Sequence, residues 1–265
     1  MITIKQKVSC AGKMINEDCV WSDKKTLILL DGSTGLLPGY LDARWFTRCF
    51  VEGFQRSSEA SLCDAVNSAI AYTREAFFGL TAVDNPEYLP SAAGIFVREI
   101  EDAIEVLAIG DCTGILYLKN GVTVSVCDDS VKHKDNAVVE RCIELRKETG
   151  INISDAVSIP EVREMLIANR KTMNRPSGYR ILAPNMDKCS EDDVIRFPKK
   201  NILGFALISD GFEAMKERIG LERVSLNELY EKLRNEEVED ADCNIRPRLK
   251  MSDDATAVIA VLSEE

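Results

Sequence analysis

Four aspartates stand where apolar runs begin or end. TLILL stops at Asp31-Gly32, EVLAIG at Asp111 and GFALIS at Asp210-Gly211, while Asp253 sits just before ATAVIAVL. An earlier acidic pair, Glu17-Asp18, lies between two N-terminal strand-like stretches. Singly, each has an ordinary reading, since Asp-Gly after a strand is a common turn. As a set they carry more weight. Strands apolar enough to be central in a sheet end near one another, and several carboxylates gathered there would repel unless cations sat among them. Carboxylate, carbonyl and water ligands suit hard ions such as Mg2+ and Mn2+, and the carbonyl of Gly32 has no side chain beside it to keep a metal away. Two such ions about 3.5–4 Å apart activate a bridging water for in-line displacement at phosphorus, without any nucleophilic side chain.

Composition leaves few rivals. The 265 residues carry 44 acidic and 33 basic side chains, a net charge of −11, which argues against a sequence-independent grip on nucleic acid or on an anionic membrane. No apolar run approaches the roughly 18 residues of a membrane span, and the start, MITIKQKVSCAGKM, does not resemble a secretory signal. Nine cysteines occur singly with no CxxC pair, the pattern of reduced thiols in a cytoplasm. The single histidine, His133, lies in the polar stretch SVKHKDN and reads as a surface residue; multi-histidine metal sites are excluded. Neither GxxxxGK[ST] nor a GxGxxG after a strand is present, so phosphotransfer on a nucleotide loop is poorly supported.

The elements that must position these carboxylates can be read from periodicity. MITIKQKV and TLILL predict strands. From Pro38 to about Gln55 the period is helical, with rows Leu41-Trp45-Cys49 and Phe46-Phe50-Phe54, and a second helix is expected from about Glu59 to Phe78. GIFVREI, EVLAIG, GILYLKNG and VTVSVC predict an antiparallel meander. NAVVERCIELRKET and PEVREMLIANRKTM read as helices, the second with Pro160 in its first turn, and the irregular NRPSGYRILAPNMD follows. ILGFALI is a buried strand, Ser225 with Glu228 matches a capping box opening SLNELYEKL, and ATAVIAVL closes the chain. Without repeats or linkers, one domain spanning 1–265 is the expectation.

In order and spacing, these stretches resemble the metal-dependent protein phosphatases of type 2C, the PPM family, in its bacterial form. NEDCVW at 16–21 is similar to the family's first acidic motif, LILLDGSTG at 27–35 to its strand-Asp-Gly motif, and LAIGDCTGILY at 107–117 to its Gly-Asp-Ser strand. ALISDGFEAM at 206–215 and SDDATAVIAVL at 252–262 resemble its last two motifs, and CDDS at 127–130 a short motif before the flap. The resemblance implies an α+β fold, a four-layer αββα sandwich of two mainly antiparallel sheets flanked by helices, with a flap-like insertion at about 131–185. It implies hydrolysis of phosphoserine and phosphothreonine in proteins by a water or hydroxide bridging two Mn2+ or Mg2+ ions, with a weaker third ion possible. Asp31 would bridge the ions, with the Gly32 carbonyl on one of them. Asp210 and Asp253 would hold the first ion, Glu17 would reach the second, and Asp111 with Asp210 would bind the third. The implied partners are phosphorylated proteins and no nucleic acid or membrane, for a cytoplasmic monomer.

Four departures qualify this picture. Lys13 stands where the family often has a phosphate-binding arginine; it keeps the charge but loses the bidentate fork. Ser33 replaces the histidine that animal members use as general acid, a change shared with bacterial members, and leaves the proton donor open. SAAG replaces the Ser/Thr-Gly-x-Thr motif at 91–94, and Asp254 stands where Asn is common. The alternative is a catalytically weak or inactive domain of the same fold acting as a regulatory or sensor module.

Overall fold

Apolar runs too continuous for a single solvent-facing sheet need partners on both faces, and here they find them. The computed structural model describes residues 1–12, 14–37, 39, 41–222 and 225–263. Its strands are β1 (Ile2–Cys10), β2 (Cys19–Ser22), β3 (Thr26–Ser33), β4 (Ser91–Glu99), β5 (Ala103–Ile109), β6 (Thr113–Leu118), β7 (Thr123–Val126), β8 (Ile195–Pro198), β9 (Ile202–Ile208) and β10 (Ala255–Leu262). The helices are α1 (Ala43–Arg56), α2 (Leu62–Leu80), α3 (Ser130–Thr149), α4 (Ile153–Ala156), α5 (Pro160–Lys171) and α6 (Leu226–Glu239). Two antiparallel sheets of five strands result, in the orders β1-β10-β9-β6-β7 and β2-β3-β4-β5-β8.

The pleat divides each strand between two cores. Leu27 and Leu29 point inward with Ile95, Val97 and Val106 against Leu116, Phe205, Leu207 and Val258 of the facing sheet. Ile28 and Leu30 point outward, beneath the Phe46-Phe50-Phe54 row of α1 and the Leu62, Val66 and Ile70 stripe of α2. On the opposite outer face, α6 and a 3-10 turn over Asp210–Arg218 cover Ala206, Ile208, Ala257 and Ile259. The layers are therefore helix, sheet, sheet, helix, as expected. A fourth cluster lies among α3, α4 and α5, where Val138, Cys142, Ile153 and Val162 pack with Cys243.

Four local expectations are corrected. The predicted meander is split: β4 and β5 belong to one sheet and β6 and β7 to the other. The chain crosses between them at Gly110–Cys112, where Gly110 takes a φ of +75° that suits glycine. Second, β3 does not stop at Asp31-Gly32; both residues stay paired, to Ala93 and Ala92. Third, α1 starts at Ala43, because the Asp42 side chain accepts from Trp45 N at 2.9 Å and caps it. Fourth, Ser225 occupies the N-cap position of α6 but makes no side-chain cap; the Leu226 amide donates instead to Gln6 Oε1, at 2.8 Å. The capping box is formed by Ser190 and Asp193 in a short turn the sequence did not flag. His133 lies exposed on α3, all nine cysteines are free, and among the described residues no helix is long and apolar enough to cross a membrane.

Candidate metal centre

β3, β5, β9 and β10 are all interior strands of their sheets. Their ends at one edge of the sandwich bring Asp31, Asp111, Asp210 and Asp253 to the wall of a single cavity of about 200 Å3. Gly32 lines it too. A side chain at Gly32 could not be fitted there, since its Cβ would lie 2.6 Å from the Glu17 carbonyl oxygen. Gly211 is packed as closely, its would-be Cβ 2.0 Å from the Asp254 carbonyl oxygen. These contacts pack the Asp31 strand closely against Glu17 and the Asp210 turn against the start of β10.

The electrostatics of the cavity are those of negative charge in excess. Burial, then the neighbouring Asp210, Asp18, Asp253 and Asp111, hold the Asp31 carboxyl well above the usual range. Burial and Asp253 raise Asp210, which lies close enough to Asp31 for the two carboxyls to share a hydrogen bond. Burial and Asp210 push Asp111 up to about 7. Asp18 is also pushed to about 7 by burial, against hydrogen bonds from Thr256 and Ser209 that pull the other way. Its Oδ2 accepts from Ser209 Oγ at 3.0 Å, and its buried Oδ1 has no partner.

Two expected ligands are engaged elsewhere. The Glu17 carboxylate accepts from the Thr34 hydroxyl, and Thr34 Oγ1 in turn accepts from Ala43 N at 3.0 Å, tying Glu17 to the start of α1. Asp253 is gripped by Lys250. No group of three His, Cys, Asp or Glu among the described residues is drawn together tightly enough to grasp a metal as it stands. The donor chemistry nonetheless fits a hard divalent cation: several mutually repelling oxygen ligands, one with an orphaned oxygen, and no sulfur or imidazole. Lys13 lies outside the described residues.

The structure adds residues that the sequence did not single out. Asp18, not Glu17, is the member of the acidic pair that turns inward. Asp135 of α3 lines the cavity and is raised to about 6 by burial and Asp210. Arg170 of α5, 8% exposed, donates to Ser33 O at 3.0 Å, to Ser33 Oγ at 3.3 Å and to Leu89 O at 2.8 Å. It continues the i, i+4 row Val162-Leu166 on α5, a signal that was available in the sequence. Asp254 accepts from Gly12 N at 2.8 Å and Glu17 N at 2.6 Å, pinning the loop that carries Glu17.

No protein-family model matches the chain, and no curated protein matches it. Solved structures do. The serine/threonine phosphatase PstP/Ppp of Mycobacterium tuberculosis is 17% identical, with a TM-score of 0.57 over 99% of both chains. The PstP catalytic domain in complex with two manganese ions is likewise 17% identical, with a TM-score of 0.56 over the whole of both chains. Stp1 of Staphylococcus aureus is 11% identical at a TM-score of 0.56, covering 99% of this chain and 96% of its own. The fold is that of the bacterial serine/threonine phosphatases. Likeness at this identity reaches the architecture alone.

Proposed function

We propose that this protein is a metal-dependent phosphatase acting on phosphoserine and phosphothreonine in proteins. The observation that carries the reading is the convergence of Asp31, Asp111, Asp210 and Asp253, from interior strands of two facing sheets, on one cavity where burial and mutual repulsion raise Asp31, Asp111 and Asp210. Such a set is unfavourable unless cations join it. The two manganese ions in the PstP catalytic domain support an ion pair here.

In this reading Asp31 and the Gly32 carbonyl would help hold both ions, Asp210 and Asp253 would hold the first, Asp18 and Glu17 would serve the second, and Asp111 with Asp210 would take a weaker third. Two Mn2+ or Mg2+ ions bound there supply activation of water and neutralisation of charge on the phosphoryl oxygens. Arg170 fixes Ser33 and so the end of the Asp31 strand. Leu166 and Tyr179 wall off one side of the cavity. Ser33 is a poor proton donor near neutral pH, so a proton for the leaving alkoxide would have to come from water.

The test is hydrolysis of an aryl phosphate and a phosphoserine peptide, side by side, with and without Mn2+ or Mg2+. Asp210→Ala should lower the divalent-dependent rate by about a thousandfold or more, as expected when a catalytic metal ligand is lost. Full activity in that variant would refute the reading. The wild-type protein should favour the aryl ester, whose leaving group needs little protonation; equal rates on both substrates would count against the assigned role of water.

A further inference from the structure

Lys250 stands three residues before Asp253, on the irregular segment between α6 and β10. Its ammonium donates to both oxygens of that carboxylate, at 2.9 Å to Oδ1 and 2.7 Å to Oδ2. The same lysine lines the cavity with Asp31, Asp111 and Asp210. Asp210 and Asp31 both lie close enough to stabilise its charge, and Lys250 in turn partly offsets the repulsion that raises Asp210. Thus one carboxylate of the centre already has a cation, supplied by its own chain and seated where a divalent ion would bind. The pair is also detachable. Both partners lie on one short segment, and the Lys250 side chain is 54% exposed, so it can swing into water without disturbing either sheet.

We propose that Lys250 is a built-in competitor for the cation position at Asp253. A divalent ion reaches both oxygens of Asp253 only by displacing the ammonium, and the free energy of that exchange lowers metal affinity at this position. The centre is therefore held ready for metal without its carboxylates being left wholly unscreened. The inference rests on the metal-centre reading given above and goes beyond it by naming the group that sets the affinity.

The experiment is calorimetric titration of the full-length protein with Mn2+ at fixed pH and ionic strength. Wild type is compared with Lys250→Gln, Lys250→Met, the double variant Lys250→Gln/Asp253→Asn, and the remote control Lys232→Gln. Both single Lys250 variants should bind one class of Mn2+ about tenfold more tightly, the order expected for removing a unit charge a few ångströms from a cation. The gain should vanish in the double variant and be absent in Lys232→Gln. Using two neutral replacements guards against the failure of either one to fold. Unchanged or weaker binding in both Lys250 variants overturns the proposal and leaves the metal centre standing. Absence of Mn2+ binding in wild type and variants alike overturns the metal centre itself, and this inference with it.

Discussion

The two ends of strand β4 handle acidic side chains in opposite ways. At one end, Ser91 pairs with Ser33 beside the aspartate cavity; at the other, about 25 Å along the strand at 3.3 Å per residue, lies Glu99. Glu99 is 8% exposed, and burial alone would raise its carboxyl. Hydrogen bonds from Lys199 and from the Met1 ammonium outweigh that effect and hold it below the usual range. Its neighbour Glu105, 3% exposed, is met by Arg196 at 2.8 Å. At the cavity end, Asp31, Asp18 and Asp111 are raised, and no lysine or arginine forms an ion pair with any of them among the described residues. Where a carboxylate is buried singly, the chain supplies its counter-ion; where several gather at the cavity, Lys250 pairs with Asp253 and only partly offsets the repulsion among the rest. Pocket size does not make this distinction, since the roomier groove of about 1170 Å3 lies at the Glu99 end.

Substitutions at the two ends should therefore differ in sign. Glu105→Ala leaves Arg196 without its buried partner and should cost about 2 kcal/mol of stability, with unchanged Mn2+ affinity. Asp111→Asn should do the reverse in chelator at pH 8: relieved of the desolvation of its charge and of repulsion by Asp210, the fold should gain about 2 kcal/mol, by the usual worth of a pKa shift, while its Mn2+ binding weakens. Differential scanning calorimetry with and without Mn2+ reads both. Loss of stability in both variants would erase the contrast between the ends.

The same contrast has a pH signature. Asp18 and Asp111, near 7, and Asp135, near 6, all bind protons more tightly folded than unfolded. Between the unfolded carboxylate value and about 7 the native state thus holds more protons, and its stability falls as pH rises through that window. In chelator the melting temperature should drop by about 5 °C or more between pH 5 and pH 7.5. With saturating Mn2+, which binds the deprotonated carboxylates, the slope should flatten or invert. A melting temperature in chelator that rises across this range would show that the cavity carboxylates are not strained.

Much of this centre is legible in the sequence because period-2 and continuous apolar runs mark interior strands, and a carboxylate at the end of such a run has few places to go. Asp31, Asp111, Asp210 and Asp253 each stand at such a position. What stayed hidden depends on rotations and crossings that no local pattern encodes. Glu17 and Asp18 are adjacent, and only the docking of the loop against Ser209 decides that Asp18 turns inward. The break between β5 and β6 looks like one more hairpin turn, yet Gly110 sends the chain into the other sheet. Asp135 sits in a stretch that reads as a solvated helix face until α3 is laid over the cavity, and Lys250 reads as an ordinary loop lysine.

Asp254 offers the finest test of how the loop end is held. The sequence resemblance would treat Asn as the natural residue there, but in this chain both oxygens of Asp254 accept backbone N–H groups, from Gly12 and from Glu17. Asparagine has one oxygen and one NH2, so one of those amides would face a donor and lose its partner. Asp254→Asn should therefore loosen the hold on Gly12 and Glu17 by about 1 kcal/mol and weaken the Mn2+ site nearest Glu17 about fivefold, leaving the site at Asp210 unchanged. Two-site calorimetry separates these effects. Equal or tighter binding at both sites would mean that the paired amides do not need a carboxylate. The grip on the Glu17 loop would then come from the close packing of Gly32 against Glu17 instead.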